Sequence, residues 1–322
     1  MTGSKNTSSK LCIFRTTAKS NVFSTFRYSF AYQHTVSKLG AKDVALKMLS
    51  VPIGGETMSG AGVVTATGSG VSGLAVDDVV VATKPLGAYR SVAKIPAASV
   101  LKVPAPVPAE YAGLLGAPCT AAKLLEGVTA GEVVVQSGAE TLVGQAVVQI
   151  AKAKGIRVVS IVTSQPDEVE IIDLLKSIGG AENIVVPDHY ALSWRFQELI
   201  SDVSAPSLCI HYTAPLDDNS LSGATTGSVS SLKAVVEKAS AEDLTKLKVT
   251  SLLNKLCDKS VTYAAGVEGM VADGGVLGEI SGMINKNELA LWLEAYPVED
   301  FEYASAKYAA PYPGYRFPVM KF

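Results

Sequence analysis

The 322-residue sequence predicts an α/β protein with a parallel β-sheet and a separate β-rich part. First, the middle of the chain alternates short apolar runs with helical stretches at a spacing typical of βαβ units. Second, residues 44–104 contain short apolar runs separated by glycine and proline, a pattern typical of small antiparallel strands. Third, 48% of residues are hydrophobic and only 18% are charged, which provides a large core and excludes a disordered or collagen-like chain.

The alternating elements begin with a predicted strand over 132–136. A predicted helix over 145–154 follows and ends at Gly155, because glycine is a common residue just past a helix. Further strands are predicted over 156–162, 183–186 and 207–212. Helices are predicted between them, over 167–178 and 194–203. This order predicts a Rossmann-type domain. Helices are also predicted over 108–126 and 232–258, and loops over 217–231 and over 264–282, which holds six glycines.

Residues 1–42 carry seven lysines and arginines and no acidic residue. Such a composition is typical of a mitochondrial import leader, and a flexible basic tail is the alternative. We expect the segment to be retained and to contact a partner, because a polar-aromatic tail without its own core becomes ordered only when something holds it. The predicted location is the mitochondrial matrix or the matrix face of the inner membrane.

Composition excludes several other classes of protein. A formal charge of −2 provides no electrostatic footprint for nucleic acid, and the chain has no apolar run long enough for a membrane-spanning helix. Four scattered cysteines and three isolated histidines have no metal-ligand spacing, so no metal site is expected.

Residues 295–322 are rich in aromatic side chains: Tyr296, Phe301, Tyr303, Tyr308, Tyr312, Tyr315, Phe317 and Phe322. One interpretation is an ordinary edge strand followed by a tail. The other is an aromatic surface that contacts a partner protein.

The segment 133–162, VVVQSGAETLVGQAVVQIAKAKGIRVVSIV, resembles the cofactor-binding segment of zinc-free medium-chain dehydrogenase/reductases. Within that family it is most similar to the mitochondrial trans-2-enoyl-thioester reductases. Further similar blocks follow in the family's order, at 62–80, 87–90, 116–121 and 174–185. The resemblance covers 43–212 well and 280–322 loosely.

This resemblance implies a Rossmann-type domain over 126–282, inserted in a β-rich GroES-like domain formed by 43–125 with 283–322, after the leader 1–42. It also implies NADPH as the cofactor and reduction of a 2-enoyl thioester. The family's tyrosine donor lies on a loop after the first strands. Here that loop is shortened, and no tyrosine lies between Tyr32 and Tyr89. Since a reductase must protonate or polarise the thioester as hydride arrives, we expect no catalytic residue.

The family's phosphate-binding loop is altered as well. Gly138 and Gly144 remain, but the intervening glycine aligns with Leu142 and a neutral asparagine aligns with Glu140. The leucine is expected to crowd the diphosphate, and the carboxylate to repel it by up to about 4 kcal/mol, or about three decades in affinity. A carboxylate at this place would alternatively stabilise the N-terminus of the following helix.

The ribose end of the site also differs from that of an NADPH enzyme. The loop after the second strand, which begins at Thr163, has no lysine or arginine for a 2′-phosphate. Asp167 could contact a ribose hydroxyl, although a helix cap is the simpler role. Gly138, Glu140, Leu142, Gly144 and Thr163 are therefore interpreted as a vestigial site, with no cofactor expected and NADPH as the alternative.

The sequence thus favours a non-catalytic accessory subunit of a large mitochondrial assembly, with respiratory complex I as the leading candidate. Its expected partners are protein subunits that contact the N-terminal leader and the aromatic C-terminal tail. The alternative is an active NADPH-dependent trans-2-enoyl-CoA/ACP reductase of mitochondrial fatty acid synthesis. A third hypothesis is a redox or quinone sensor that binds nucleotide without turnover.

Overall fold

The computed structural model describes residues 9–15, 27–33, 38–53, 60–84, 86, 89–201, 206–211, 262–263, 274–308 and 316–322. The chain divides into two compact units. The first unit comprises Met1–Cys119 and Met270–Phe322, and the second comprises Thr120–Gly269. The shortened loop, the predicted loop over 217–231 and the predicted helix over 232–258 all lie outside the described residues.

The first unit begins with eight strands in the described residues: β1 Ser9–Arg15, β2 Arg27–Gln33, β3 Asp43–Pro52, β4 Ala61–Thr67, β5 Val79–Ala82, β6 Tyr89–Arg90, β7 Val92–Pro96 and β8 Val100–Lys102. Two helices follow, α1 Ala109–Ala112 and α2 Gly116–Leu124, and the boundary with the second unit falls within α2. After the second unit, the chain returns with α7 Gly274–Asn285, β14 Leu293–Pro297, α8 Phe301–Tyr308 and β15 Phe317–Lys321.

The strand β3 organises the main sheet of the first unit. It pairs with β4 on one side and with both β7 and β15 on the other, and the sheet runs in the order β14-β15-β3-β4-β5-β8. Alternate residues of a strand point to one face, and Val44, Leu46 and Met48 on β3 are at most 1% exposed. Phe301 of α8 is fully buried in the same apolar cluster.

The segment predicted to be a leader contains β1 and β2. These strands pair with each other in antiparallel register, and β1 also pairs with β6, so that Cys12 lies opposite both Phe30 and Tyr89. The three-stranded sheet has the order β2-β1-β6. The import function of this segment stays a prediction.

The second unit contains the predicted parallel sheet. Its elements are β9 Val133–Ser137, α3 Leu142–Lys154, β10 Arg157–Val162, α4 Glu168–Gly179, β11 Asn183–Pro187, α5 Asp188–Ala191, α6 Trp194–Ser201, β12 Leu208–His211 and β13 Thr262–Tyr263. All described pairings in this sheet are parallel, and the strand order is β11-β10-β9-β12-β13. The order 3-2-1-4-5 along the chain is that of a Rossmann fold, which confirms the predicted type.

The boundaries of α3 have clear causes. Thr141 is the N-cap residue, and its hydroxyl accepts a hydrogen bond from the backbone N–H of Gly144. The helix ends where Gly155 adopts a left-handed conformation with φ of 68°, as predicted. The strands on either side are almost fully buried, as expected for parallel strands covered on both faces.

Three buried polar side chains cross the parallel sheet. Gln136 on β9 donates to the hydroxyl of Ser160 on β10 at 2.9 Å, and that hydroxyl donates to Asn183 on β11, also at 2.9 Å. Gln136 also donates to the carbonyl of Gly144 in α3, at 3.3 Å. Because buried polar groups are costly when unpaired, this network favours one register of the three strands and ties α3 to the sheet.

The predicted loop over 264–282 is wrong in its second half, because α7 occupies Gly274–Asn285. Its buried residues include Leu277, Ile280 and Ile284, which recur at helical spacing. Burial of this stripe outweighs the low helix propensity of four glycines. No helix among the described residues is both long and apolar enough to cross a membrane.

The C-terminal aromatic residues are divided between core and surface. Tyr296 and Phe301 are buried, whereas Tyr303 is 65% exposed. The burial of Tyr296 and Phe301 thus favours the interpretation of this segment as ordinary packed structure. Tyr312 and Tyr315 lie outside the described residues.

Candidate functional site

The candidate site lies at the carboxyl ends of β9, β10 and β11 in the second unit. β9 stands between β10 and β12, so the strand order reverses there, and ligands of open α/β sheets bind beyond the strand ends at such a reversal. Two loops border this crevice: 138–141 between β9 and α3, and 163–167 between β10 and α4.

The two retained glycines have structural roles in the first loop. Gly138 has a φ of 77°, a backbone conformation that favours glycine. A methyl group on Gly144 would lie 2.6 Å from the carbonyl oxygen of Ala139, closer than atoms can pack. The tight turn and the close approach of α3 to the loop therefore require both residues, whether or not a ligand is bound.

Leu142 is the first residue of α3 and is fully buried, as is Ala139 before it. The leucine side chain therefore belongs to the packed interior at the start of the helix. Its predicted crowding of a diphosphate stays a prediction.

Glu140 links the two loops of the crevice. The backbone N–H of Thr163 donates to its carboxylate at 3.3 Å, and the backbone carbonyl of Glu140 accepts a hydrogen bond from the Gln145 side chain at 2.8 Å. Burial raises the pKa of the Glu140 carboxyl above its ordinary value, against hydrogen bonds from Thr163 that lower it, and the negative charge of Asp188 raises it further. The carboxylate thus lies beside the backbone at the end of β10, where a Rossmann enzyme places its nucleotide ribose.

Asp188, the first residue after β11, makes a second contact with the same loop. It accepts hydrogen bonds from the Ser164 hydroxyl at 2.6 Å and from the Ser164 backbone N–H at 3.3 Å, and it is only 8% exposed. His189 lies on the outer side, with Nδ1 at 3.1 Å from the Ser164 oxygen. The sequence prediction missed Asp188, although its position directly after a buried strand was a usable signal.

Asp167 stands at the N-cap position of α4, as the simpler interpretation predicted, but its side chain makes no capping hydrogen bond. Glu168 and Glu170 follow in the first turn of the helix. The carboxylates of Glu140 and Asp188, which contact the 163–164 turn, give the ribose end of the crevice an acidic character. These residues do not fit the 2′-phosphate of NADPH, because the donors of the 163–164 turn already bind carboxylates.

The described part of the chain contains no group of three residues able to hold a metal ion. Cys119 and Cys209 are buried and do not form disulfide bonds. The loop expected to carry the tyrosine donor of the family falls in residues 54–59, outside the described ranges. The absence of a catalytic residue therefore stays a prediction.

The two units together have the fold of the medium-chain dehydrogenases/reductases, a Rossmann-type domain inserted in sequence into a β-rich GroES-like domain. The mitochondrial 2-enoyl thioester reductase heterodimer Etr1p/Etr2p of Candida tropicalis has this fold, with a TM-score of 0.69 and 15% identity over 98% of this chain and all of that one. The Etr1p complex with NADP and crotonyl-CoA gives a TM-score of 0.68 at 14% identity, over 98% of this chain and all of that one.

The sequence is similar to mitochondrial enoyl-[acyl-carrier-protein] reductases. It is 31% identical to that of Dictyostelium discoideum over 204 residues, 56% of this chain and 58% of the relative. It is 32% identical to the human protein over 193 residues, 52% of this chain and 51% of the relative. The chain thus matches between half and three fifths of the length of these relatives, and no protein-family model matches it. The predicted resemblance is confirmed.

Proposed function

We propose that this chain is an enoyl-thioester-reductase-like protein that has lost NADPH-dependent reduction and acts as a non-catalytic accessory subunit in mitochondria. The observation that carries the proposal is the Glu140 carboxylate, which is hydrogen-bonded to the Thr163 backbone. A diphosphate or a phosphorylated ribose brought to this crevice would meet negative charge where an NADPH enzyme presents neutral or positive groups.

A titration of the purified chain with NADPH tests the proposal directly. We expect no binding in the micromolar range and no NADPH oxidation with crotonyl-CoA. The double change Glu140→Asn with Leu142→Gly restores the family residues, and we expect it to increase NADPH affinity at least tenfold. Glu170→Gln is the matched control, because it removes one negative charge from the exposed face of α4.

The alternative function is an active NADPH-dependent enoyl-CoA/ACP reductase, which the names of the similar proteins favour. It predicts micromolar NADPH affinity and turnover of crotonyl-CoA by the unmodified chain, and either result would overturn our proposal. Nucleotide binding without turnover would instead favour the redox or quinone sensor.

The proposed location is the mitochondrial matrix or the matrix face of the inner membrane, in agreement with the basic leader and with the mitochondrial relatives. The proposed partners are protein subunits of a larger assembly, with respiratory complex I as the first candidate. Native gel electrophoresis of mitochondria tests this part separately. Comigration with complex I is expected, and finding the protein only as a free species would contradict the proposal.

A further inference from the structure

We propose that the 163–164 turn is a phosphate-monoester site that the chain fills with its own Glu140 and Asp188 carboxylates, which thereby exclude a 2′-phosphate. The inference rests on the proposed loss of NADPH binding and names its cause at the ribose end of the crevice. It concerns charge and hydrogen-bond donors alone and does not depend on Leu142.

The turn presents backbone N–H and hydroxyl donors to anions. The Thr163 N–H donates to Glu140 at 3.3 Å, while the Ser164 N–H and hydroxyl donate to the two oxygens of Asp188 at 3.3 and 2.6 Å. Successive backbone N–H groups with a neighbouring hydroxyl are a common way for proteins to bind phosphate. Here the acceptors come from the loop after β9 and from the first residue of α5.

The two carboxylates carry the charge of the ligand they replace. Together they contribute about −2 when ionised, which is the charge of a phosphate monoester near neutral pH. The negative charge of Asp188 is also one reason that the pKa of Glu140 is raised, so the two groups already repel each other. A phosphate that bound these donors would place a third anion beside the two carboxylates. It would also break the hydrogen bonds that the carboxylates accept from the turn.

The sequence between 163 and 168 offers no lysine or arginine to offset that repulsion. Asp188 is 8% exposed and held by both groups of Ser164, so it cannot move aside without breaking two hydrogen bonds. A ribose with free hydroxyls does not face this conflict, because hydroxyls donate to carboxylates. The crevice therefore discriminates against the 2′-phosphate specifically.

The test compares 2′-AMP with adenosine, which differ only in the phosphate, by isothermal titration. We expect the variant carrying Glu140→Gln and Asp188→Asn to bind 2′-AMP at least tenfold more tightly than the unmodified chain, with no comparable gain for adenosine. Glu170→Gln is expected to leave both affinities unchanged. A folded double variant without a gain for 2′-AMP overturns the inference, as does an unmodified chain that already prefers 2′-AMP.

Thermal unfolding of each variant shows whether it is folded. The single variant Asp188→Asn retains an oxygen acceptor for Ser164 and replaces the double variant if that one does not fold. We expect it to bind 2′-AMP more tightly than the unmodified chain, with a smaller gain than the double variant. Turnover of crotonyl-CoA with NADPH by the unmodified chain would defeat the proposed function. A lack of 2′-AMP binding by folded variants would defeat only the present inference.

Discussion

The backbone nitrogen of Thr163 lies 3.3 Å from a carboxylate oxygen of Glu140, so a hydrogen bond joins the loops that follow β9 and β10. In a dinucleotide-binding protein these loops contact the cofactor from two sides. Here a side chain of the first loop reaches the backbone of the second. The same residue thus affects both the stability of the fold and the chemistry of the crevice, and the two effects can be measured separately.

Glu140→Gln is expected to stabilise the protein at high pH. The pKa of the Glu140 carboxyl is raised by burial above its value in the unfolded chain. The unmodified chain therefore loses stability as pH rises from about 4.3 through the raised pKa, whereas glutamine does not ionise. We expect a gain of about 1 kcal/mol in the free energy of unfolding at pH 8 and a smaller gain at pH 5, measured by urea denaturation.

Glu170→Gln is the control for this measurement, because Glu170 is exposed. Its effect should remain within about 0.5 kcal/mol at both pH values. A Glu140→Gln variant that is less stable than the unmodified chain at pH 8 would show that the charged carboxylate stabilises the loop.

Gly144→Ala is expected to destabilise the second unit. The added methyl group would contact backbone atoms of Ala139 at 2.6–2.8 Å, so loop 138–141 would have to shift. We expect a loss of about 1–3 kcal/mol in urea denaturation. Gly282→Ala in α7 is the matched control, since no described residue lies within 4 Å of the new methyl group and helix propensity predicts a gain of about 0.5–1 kcal/mol. Equal effects of the two changes would contradict the close approach at Gly144.

Ser160→Ala is expected to cost about 1–3 kcal/mol in the free energy of unfolding. Its hydroxyl connects Gln136 with Asn183 inside the parallel sheet, and all three residues are at most 6% exposed. Removing it leaves buried polar groups without this partner. Ser177→Ala, at an exposed position of α4, should change stability by less than about 0.5 kcal/mol. The prediction is wrong if the two serine variants unfold at the same urea concentration.

Phe301→Ala should cost about 3–5 kcal/mol, because Phe301 is fully buried in the core of the first unit. Tyr303→Ala, two residues later, removes a ring that is 65% exposed and contacts Tyr296 edge-on with ring centres 6.0 Å apart. A loss of about 0.5–1 kcal/mol is expected there. Thermal unfolding of the two variants measures the difference, and a large effect of Tyr303 would assign this aromatic residue to the core as well.

Four of the five described strands of the parallel sheet were predictable from sequence, because β9, β10, β11 and β12 are short apolar runs bounded by residues with a clear local role, whereas β13 was not predicted. Gly155 ends α3 with a left-handed conformation, and valine-rich β9 is buried throughout. In this region the local sequence signals and the pattern of burial indicate the same secondary structure. These strands and helices could therefore be predicted without knowledge of contacts between distant residues.

Local signals failed where tertiary burial overrides them. Four glycines in α7 predicted a loop, yet burial of Leu277, Ile280 and Ile284 stabilises a helix. Asp188, at the start of α5, was missed because its partner Ser164 lies 24 residues away, on the loop after β10. Glu140 was recognised by alignment with a neutral residue of the family, but its hydrogen bond to Thr163 depends on the spacing of two strands.

The pairing of β1 and β2 with β6 has a consequence for biogenesis. If this segment serves in import, β1 and β2 can pair with each other and with β6 only after translocation, because a polypeptide crosses an import channel unfolded. A processing peptidase that cleaved beyond residue 33 would remove two of the three strands in that sheet and leave Tyr89 and Arg90 without their neighbours. Cleavage beyond residue 33 and completion of this three-stranded sheet are therefore mutually exclusive.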